Sequence, residues 1–140
     1  MAPDEDYSKI VVGYDGSKGS ELALEWAARE ARLRGVPLSV VRAWTTGEFG
    51  TDEELGDFTQ QQLEKDVAEA LSHDQSLPWQ AVAAMGSPAK VLIEHSAGAQ
   101  MLVVGSRGHG GFAGLLLGSI SQQVSAHSGA PVVVIVRDAG

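Results

Sequence analysis

Five short apolar runs, separated by stretches of helical period, constrain the fold of this chain more than any other feature. They are Lys9 to Tyr14, Leu38 to Trp44, Trp79 to Met85, Met101 to Val104 and Pro131 to Val136. Continuous β-branched runs of this length read as strands buried on both faces. Each gap carries helix punctuation. Ser17 or Ser20 can cap a helix with Glu21 and Glu25 near its positive end. Leu22, Trp26, Ala27, Ala31 and Leu33 then recur at helical spacing through Arg34, and Gly35 ends the run. A polar helix is predicted from about Asp52 to His73, with Leu55, Phe58, Leu63, Val67, Ala70 and Leu71 as its inner stripe. Gly86-Ser87-Pro88 is a tight turn into a third helix that stops near Gly98, and Ser119 to His127 reads as a fourth. Trp26 and Trp79 fall at core or near-core positions.

Strands and helices in this alternation argue for an α/β fold with a parallel sheet covered on both sides. Right-handed crossovers reduce the topologies to a doubly wound, five-stranded parallel sheet sandwiched by helices. The length of 140 residues suits one domain, 1–140, with no internal repeat and no linker. No helix follows the fifth run, so that strand is expected at an edge. An edge of Val and Ile needs cover. A second copy of the chain can supply it, which predicts a homodimer through the C-terminal strand 132–136.

Composition removes whole classes of function. There is no Cys, hence no disulfide framework, thiolate metal site or cysteine nucleophile. Ten Lys and Arg stand against eighteen Asp and Glu, and a net charge of −8 argues against a nucleic-acid partner. No apolar run approaches the roughly 20 residues of a membrane span. The opening MAPDEDYSKI lacks a secretory-signal layout, so a soluble cytoplasmic protein is expected. Residues 48–74 hold nine acids and one base, which accounts for the whole net charge. A solvated helix face explains that segment; a docking surface for a basic partner is the functional alternative, with nothing else to support it.

In a doubly wound sheet, ligands bind at the C-terminal ends of the strands where strand order reverses. Three segments would meet there: Asp15-Gly16-Ser17, Ala43-Trp44-Thr45, and the run from Gly105. Seven of the 21 residues from Gly98 to Gly118 are Gly, which lets a backbone turn its N–H groups onto an anion. Gly118-Ser119 opens a helix whose first N–H groups form a ready phosphate site. Ser119 and Ser121 can add hydroxyl donors and Arg107 charge. No Walker A loop exists. Gly108 to Ala113 fits G-x-G-x-x-A, but only one helix and one strand follow, without a ribose-binding acid at the required place. A glycine loop that binds nothing is the structural alternative. His109 lies in the loop, and His73, His95 and His127 show no metal spacing.

Gly105-x-x-Gly108, nine residues, then Gly118-Ser119 resembles the G-x-x-G-(nine)-G-[ST] motif of the ATP-binding branch of the universal stress protein family. The resemblance spans essentially the whole chain. Ile10 to Ser17 looks like the family's first strand and turn, Leu102 to Gly108 its fourth strand and loop, and Ala130 to Val136 its closing strand. It implies a Rossmann-like, adenine-nucleotide-binding fold, often dimeric through the last strand. It also implies ATP as the ligand, with Mg as its companion ion. By position, Gly105, Arg107, Gly108, Gly118, Ser119 and Ser121 would hold phosphates. Asp15 would sit by the ribose or the Mg, the backbone of Ala43 would meet the adenine edge, and Val104 would flank the nucleotide. Trp44, beside the adenine position, could pack near the base.

No nucleophile–base constellation and no G-x-S-x-G elbow is visible, so no catalytic residue is assigned. The leading expectation is a nucleotide-dependent regulator or sensor in stress and growth-arrest responses, acting on an unknown protein partner. A slow Mg-dependent ATPase and a dimerisation module with an empty loop are the alternatives.

Overall fold

A computed structural model describes residues 9–46, 51–106 and 118–136. Among them, strands and helices alternate: β1 (Ile10–Gly13), α1 (Lys18–Arg34), β2 (Leu38–Trp44), α2 (Asp52–Ala70), β3 (Trp79–Met85), α3 (Pro88–Ser96), β4 (Met101–Gly105), α4 (Ser119–His127) and β5 (Val132–Ile135). All strand pairs are parallel, in the order β3-β2-β1-β4-β5. The chain steps outward from β1 to β3, then returns to place β4 on the other flank of β1. Strand order therefore reverses between β1 and β4, and the crevice of a doubly wound sheet opens above their C-terminal ends. As expected, β5 lies at an edge.

The buried strands divide their side chains between two cores. Ile10, Val12, Val40 and Val103 pack with Leu24 and Ala27 of α1 and with Leu63 and Val67 of α2. Val11, Val41, Leu102 and Val104 pack with Leu92 of α3 and Val124 of α4. Each fully buried Val, Leu or Ile contributes roughly 1.5–3 kcal/mol relative to exposure. The four residues of β1 are buried throughout, which explains why that run tolerates no polar side chain.

Two helix faces differ from the sequence expectation. The inner face of α1 is Ala23, Leu24, Ala27, Ala28 and Ala31, with Leu22 and Trp26 half-buried and Leu33 83% exposed. Small side chains bring the helix axis close to the sheet, so alanine rather than the larger residues marks the buried stripe. On α2 only Leu63 and Val67 are buried. Phe58 and Ala70 face solvent, Leu55 is half-buried, and Leu71 is buried just beyond the helix end. The helix stops three residues short of His73. It lies over the flank of the sheet beside β3, where one narrow stripe suffices. Trp26 and Trp79 are half-buried against the first core, in line with their near-core pattern.

Candidate functional site

The first wall of the crevice is the turn from β1 into α1. Asp15 Oδ1 accepts the Ser17 N–H at 2.9 Å, an Asx turn, while Gly16 adopts φ +83°, a conformation that favours glycine. Ser17 caps α1, its side chain accepting from the Ser20 N–H at 3.2 Å. The buried Ser20 hydroxyl donates to the Ser17 carbonyl at 2.9 Å and accepts the Asp15 N–H at 3.2 Å. The polar groups of the turn thus largely satisfy one another. Arg42 of β2 extends over it: its Nη1 lies 3.7 Å from where a Cβ on Gly16 would be. The Tyr14 hydroxyl is pushed above its usual pKa by burial first, and then by the charges of Asp66 and Glu21.

The second wall is the end of β2. The ladder to β1 stops at the Gly13–Val41 pair, and Tyr14 N–H donates to the Val41 carbonyl at 3.0 Å. On the other flank, Trp44 carbonyl accepts from Gly86 N–H and Leu38 N–H donates to Pro78. Even-numbered residues of β2 therefore pair with β3, and odd-numbered residues turn their backbone toward β1. Ala43 follows Val41 in that parity, so its N–H and C=O look into the space beyond the end of β1. Trp44 does not join it. Its ring packs on α2, where a Cβ on Gly56 would stand 2.8 Å from Cζ2. The expectation that Trp44 packs near a base gives way to that helix contact.

The third wall joins β4 to α4. Ser106 N–H donates to the Ile135 carbonyl at 2.9 Å, and Gly118 N–H donates to the Ser106 carbonyl. The Ser121 hydroxyl, on a residue 3% exposed, donates to the Gly105 carbonyl at 2.6 Å. These bonds clasp together the two ends of the glycine segment. A Cβ on Gly105 would fall 2.8 Å from the backbone carbon and oxygen of Gly19, so β4 and the first turn of α1 touch through bare backbone. Val104 is buried at 4% in the second core. Gly118 is the N-cap of α4 and supplies no side-chain cap; the first intrahelical bond is Gln122 N–H to the Gly118 carbonyl. The amides of Ser119, Ile120 and Ser121 precede that bond and have no helical partner. Ser119 is exposed.

The structure thus brings Asp15, Ala43, Gly105, Gly118, Ser119 and Ser121 to one end of the sheet. Arg107 and Gly108 lie outside the described residues, as does His109. Ser121 spends its hydroxyl proton inward, so its backbone amide is the group it can present to a ligand. Sequence reasoning missed Ser106 and Gly19, and offered Ser20 only as a possible cap of α1, the place that Ser17 takes. A glycine in the first turn of a helix, against propensity, was the available signal for Gly19; Ser106 acts through contacts remote in sequence, to Gly118 and Ile135. Among the described residues no group of three or more His, Asp or Glu could hold a metal ion, and no helix is long and apolar enough to cross a membrane. The acids of α2 are mostly exposed, as a solvated face requires. A shallow groove between α3 and α4, lined by Lys90, Ile93, Glu94 and His127 among others, shares no residue with the three walls.

The model of the universal stress protein family matches residues 6–136. A universal stress protein of Mycobacterium tuberculosis (strain H37Rv) is 42% identical over 140 residues, covering 96% of this chain and 47% of its own length. The chain thus spans about half the length of the curated relatives it matches. The solved structure of the universal stress protein from Archaeoglobus fulgidus in complex with dAMP is 25% identical, with a TM-score of 0.68, and covers 92% of this chain and 98% of that one. A universal stress protein family protein from Arabidopsis thaliana with AMP bound, 22% identical with a TM-score of 0.65, shares the fold over 94% of this chain and 93% of that one. The chain belongs to the universal stress protein family.

Proposed function

We propose that this universal stress protein is an adenine-nucleotide-binding regulator that takes ATP across the ends of β2, β1 and β4. The observation that carries the reading is the start of α4: three amides without a helical partner, no side-chain cap, and a base clasped by Ser121 and Ser106. A phosphate chain satisfies those amides and the positive end of the helix at once. The exposed Ser119 hydroxyl adds a donor, with Arg107, Gly108 and Gly105 completing the cradle. The Ala43 N–H and C=O present a donor and an acceptor to the adenine edge. Asp15 stands by the ribose, and Val104 underlies the nucleotide from within the sheet. The nucleotide complexes of the Archaeoglobus and Arabidopsis relatives support this ligand class.

Magnesium fits only as a companion of the phosphates. It prefers near-octahedral oxygen ligands, and Asp15, one of whose oxygens already accepts the Ser17 N–H, is a single carboxylate. Any such ion would rest on phosphate oxygens, with Asp15 as its carboxylate ligand among the described residues.

Regulation follows from the same clasp. Ser106 holds Gly118 through its carbonyl and Ile135 through its amide, so the phosphate site and the edge strand share one residue. On β5, Leu102 N–H donates to Pro131 and Ser106 N–H to Ile135, so Val132 and Val134 turn their backbone outward. A second copy pairing along 132–136 would read the occupancy of the site through that strand and present the change to a protein partner.

Calorimetry with magnesium-ATP, ADP and AMP tests the site. Measurable heat for the unaltered chain and about tenfold weaker binding by a folded Gly118→Ala variant are expected. No heat at millimolar nucleotide, or equal affinity in the variant, would overturn the assignment. Nucleotide recovered uncleaved after incubation supports a regulator; phosphate release abolished by Gly118→Ala would make it an ATPase.

A further inference from the structure

The opposite edge of the sheet carries a different device. The backbone of Trp79, Ala81, Ala83 and Met85 faces away from β2, since the even-numbered residues of β3 make the ladder, as the bonds at Pro78 and Gly86 show. Exposed strand edges of this kind are usually blunted by charge, proline, a bulge or short length. Here β3 is seven residues, WQAVAAM, with no charge, no proline, and register with β2 unbroken from Trp79 to Met85. What it has instead is Gln60 of α2. The Gln60 Nε2 donates to the Ala81 carbonyl at 2.8 Å, and Ala83 N–H donates to Gln60 Oε1 at 2.7 Å. Those are the two bonds that one residue of a sixth parallel strand, opposite Val82, would make. The side-chain amide stands in for a peptide group.

We infer that the β3 edge is a latent strand-pairing surface held shut by Gln60, and that its occupant on release is β3 of a second copy of this chain. The chemistry of the strand selects that occupant. Antiparallel pairing centred on Val82 places Ala81 opposite the second copy's Ala83, small neutral side chains that bring neither clash nor like charge. The two backbone groups Gln60 now satisfies are the central pair of that ladder. One methylene decides the matter: Asn is too short to span both groups from the same helix position. Glu accepts from Ala83 N–H but cannot donate to the Ala81 carbonyl, and it leaves a charge on the edge. Gln60 thereby confines strand pairing to the other side of the sheet, since a molecule with two open edges would polymerise.

Sedimentation velocity over a concentration series, with hydrogen exchange at the Ala83 amide, tests this directly. Gln60→Ala is expected to exchange Ala83 about tenfold faster than the unaltered chain when dilute. On concentration it should gain a species of about twice the mass the unaltered chain shows, with exchange at Ala83 slowing again. Gln60→Glu keeps the Ala83 N–H bond and is expected to exchange Ala83 about as slowly as the unaltered chain, without the added species. If Gln60→Ala loses its fold, Gln60→Asn repeats the experiment with a polar side chain. The inference is overturned if the folded alanine or asparagine variant sediments like the unaltered chain at every concentration. It is also overturned if added association leaves Ala83 exchanging fast, which would place the contact elsewhere, or if Gln60→Glu associates equally.

Discussion

Two helices start at the same end of the sheet, and the chain treats them differently. The start of α1 is finished from within: Ser17 caps it, Asp15 ties the turn, Ser20 closes the loop, and Glu21 sits in the first turn against the helix dipole. The start of α4 has a glycine N-cap, no side-chain cap and no acid in its first turn. α2 follows the first pattern, with a Thr51–Glu54 capping box and three acids. α3 lacks a side-chain cap as well, but Pro88 removes one of the amides that would need it. Among the described helices, α4 alone combines a full set of amides with nothing of its own to cap or neutralise them. A cap and an acid stabilise a helix cheaply, so their omission at the one start that follows the glycine segment points to an external anion.

The strongest way to break this contrast is at the point where the two starts touch. Gly105→Ala places a Cβ 2.8 Å from the Gly19 backbone, and backbone cannot step aside as a side-chain end would. A loss of about 3 kcal/mol in urea unfolding is expected. Nucleotide binding should fall with it, because α1 and β4 must part. A variant as stable as the unaltered chain would mean that β4 and the first turn of α1 leave room for a methyl group between them.

A paired exchange sharpens the contrast at smaller scale. Ser17→Ala removes the cap of α1 and is expected to cost about 1 kcal/mol in thermal or urea unfolding while leaving nucleotide affinity unchanged. Ser119→Glu gives α4 the first-turn carboxylate that α1 already has. It is expected to stabilise the fold by about 0.5 kcal/mol through the helix dipole and to weaken ATP by about tenfold through repulsion. Opposite signs for stability and binding in one variant are hard to produce by general damage. If Ser119→Glu leaves ATP affinity intact, the phosphates do not rest on α4.

The fold was legible because strands buried on both faces need apolar, mostly β-branched runs, and the turn residues Asp15-Gly16, Gly86 and Gly105 close three of the five. Val11 and Val12 face opposite cores, so neither position can be polar, and that shows in sequence. Helix phase was harder to read. Leu33 attracts the eye, yet Ala31 is the buried residue, because distance to the sheet rather than hydrophobic mass sets what fits. In the site, Gly105, Gly118 and Ser119 were visible as spacing at a strand–helix junction. The inward bond of Ser121 and the two bonds of Ser106 were not, since both depend on which carbonyls lie across the fold. Gln60 was invisible for a related reason: a glutamine on a polar helix reads as a solvated side chain until the register of β3 shows which backbone groups it faces.

The smallest effect concerns the far end of α1, which the chain also finishes for itself. Arg32 in its last turn meets Asp74 at 2.8 Å, and Asp74 accepts from the Ser76 hydroxyl at 2.6 Å and the Ser76 N–H at 3.0 Å. These bonds hold the Asp74 carboxyl below its usual pKa, the Ser76 hydroxyl foremost, with the Ser76 N–H and Arg32 adding to it. A carboxyl with a lowered folded-state pKa stabilises the fold only while ionised. Its contribution is complete above the ordinary carboxylate range and is lost as pH falls through and below that range. Asp74→Asn should therefore lower the urea midpoint slightly at neutral pH, and the gap to the unaltered chain should close in acid. The pair is exposed, so added salt should narrow the gap at neutral pH as well. Nucleotide affinity at neutral pH should not change, since Asp74 serves the end of α1 remote from the crevice. A gap that persisted in acid would assign the effect to the Ser76 turn rather than to the charge, and would leave the C-terminal end of α1 held by the Gly35 and Val36 amides and by the bonds of Arg34 to Glu30 and Gln100.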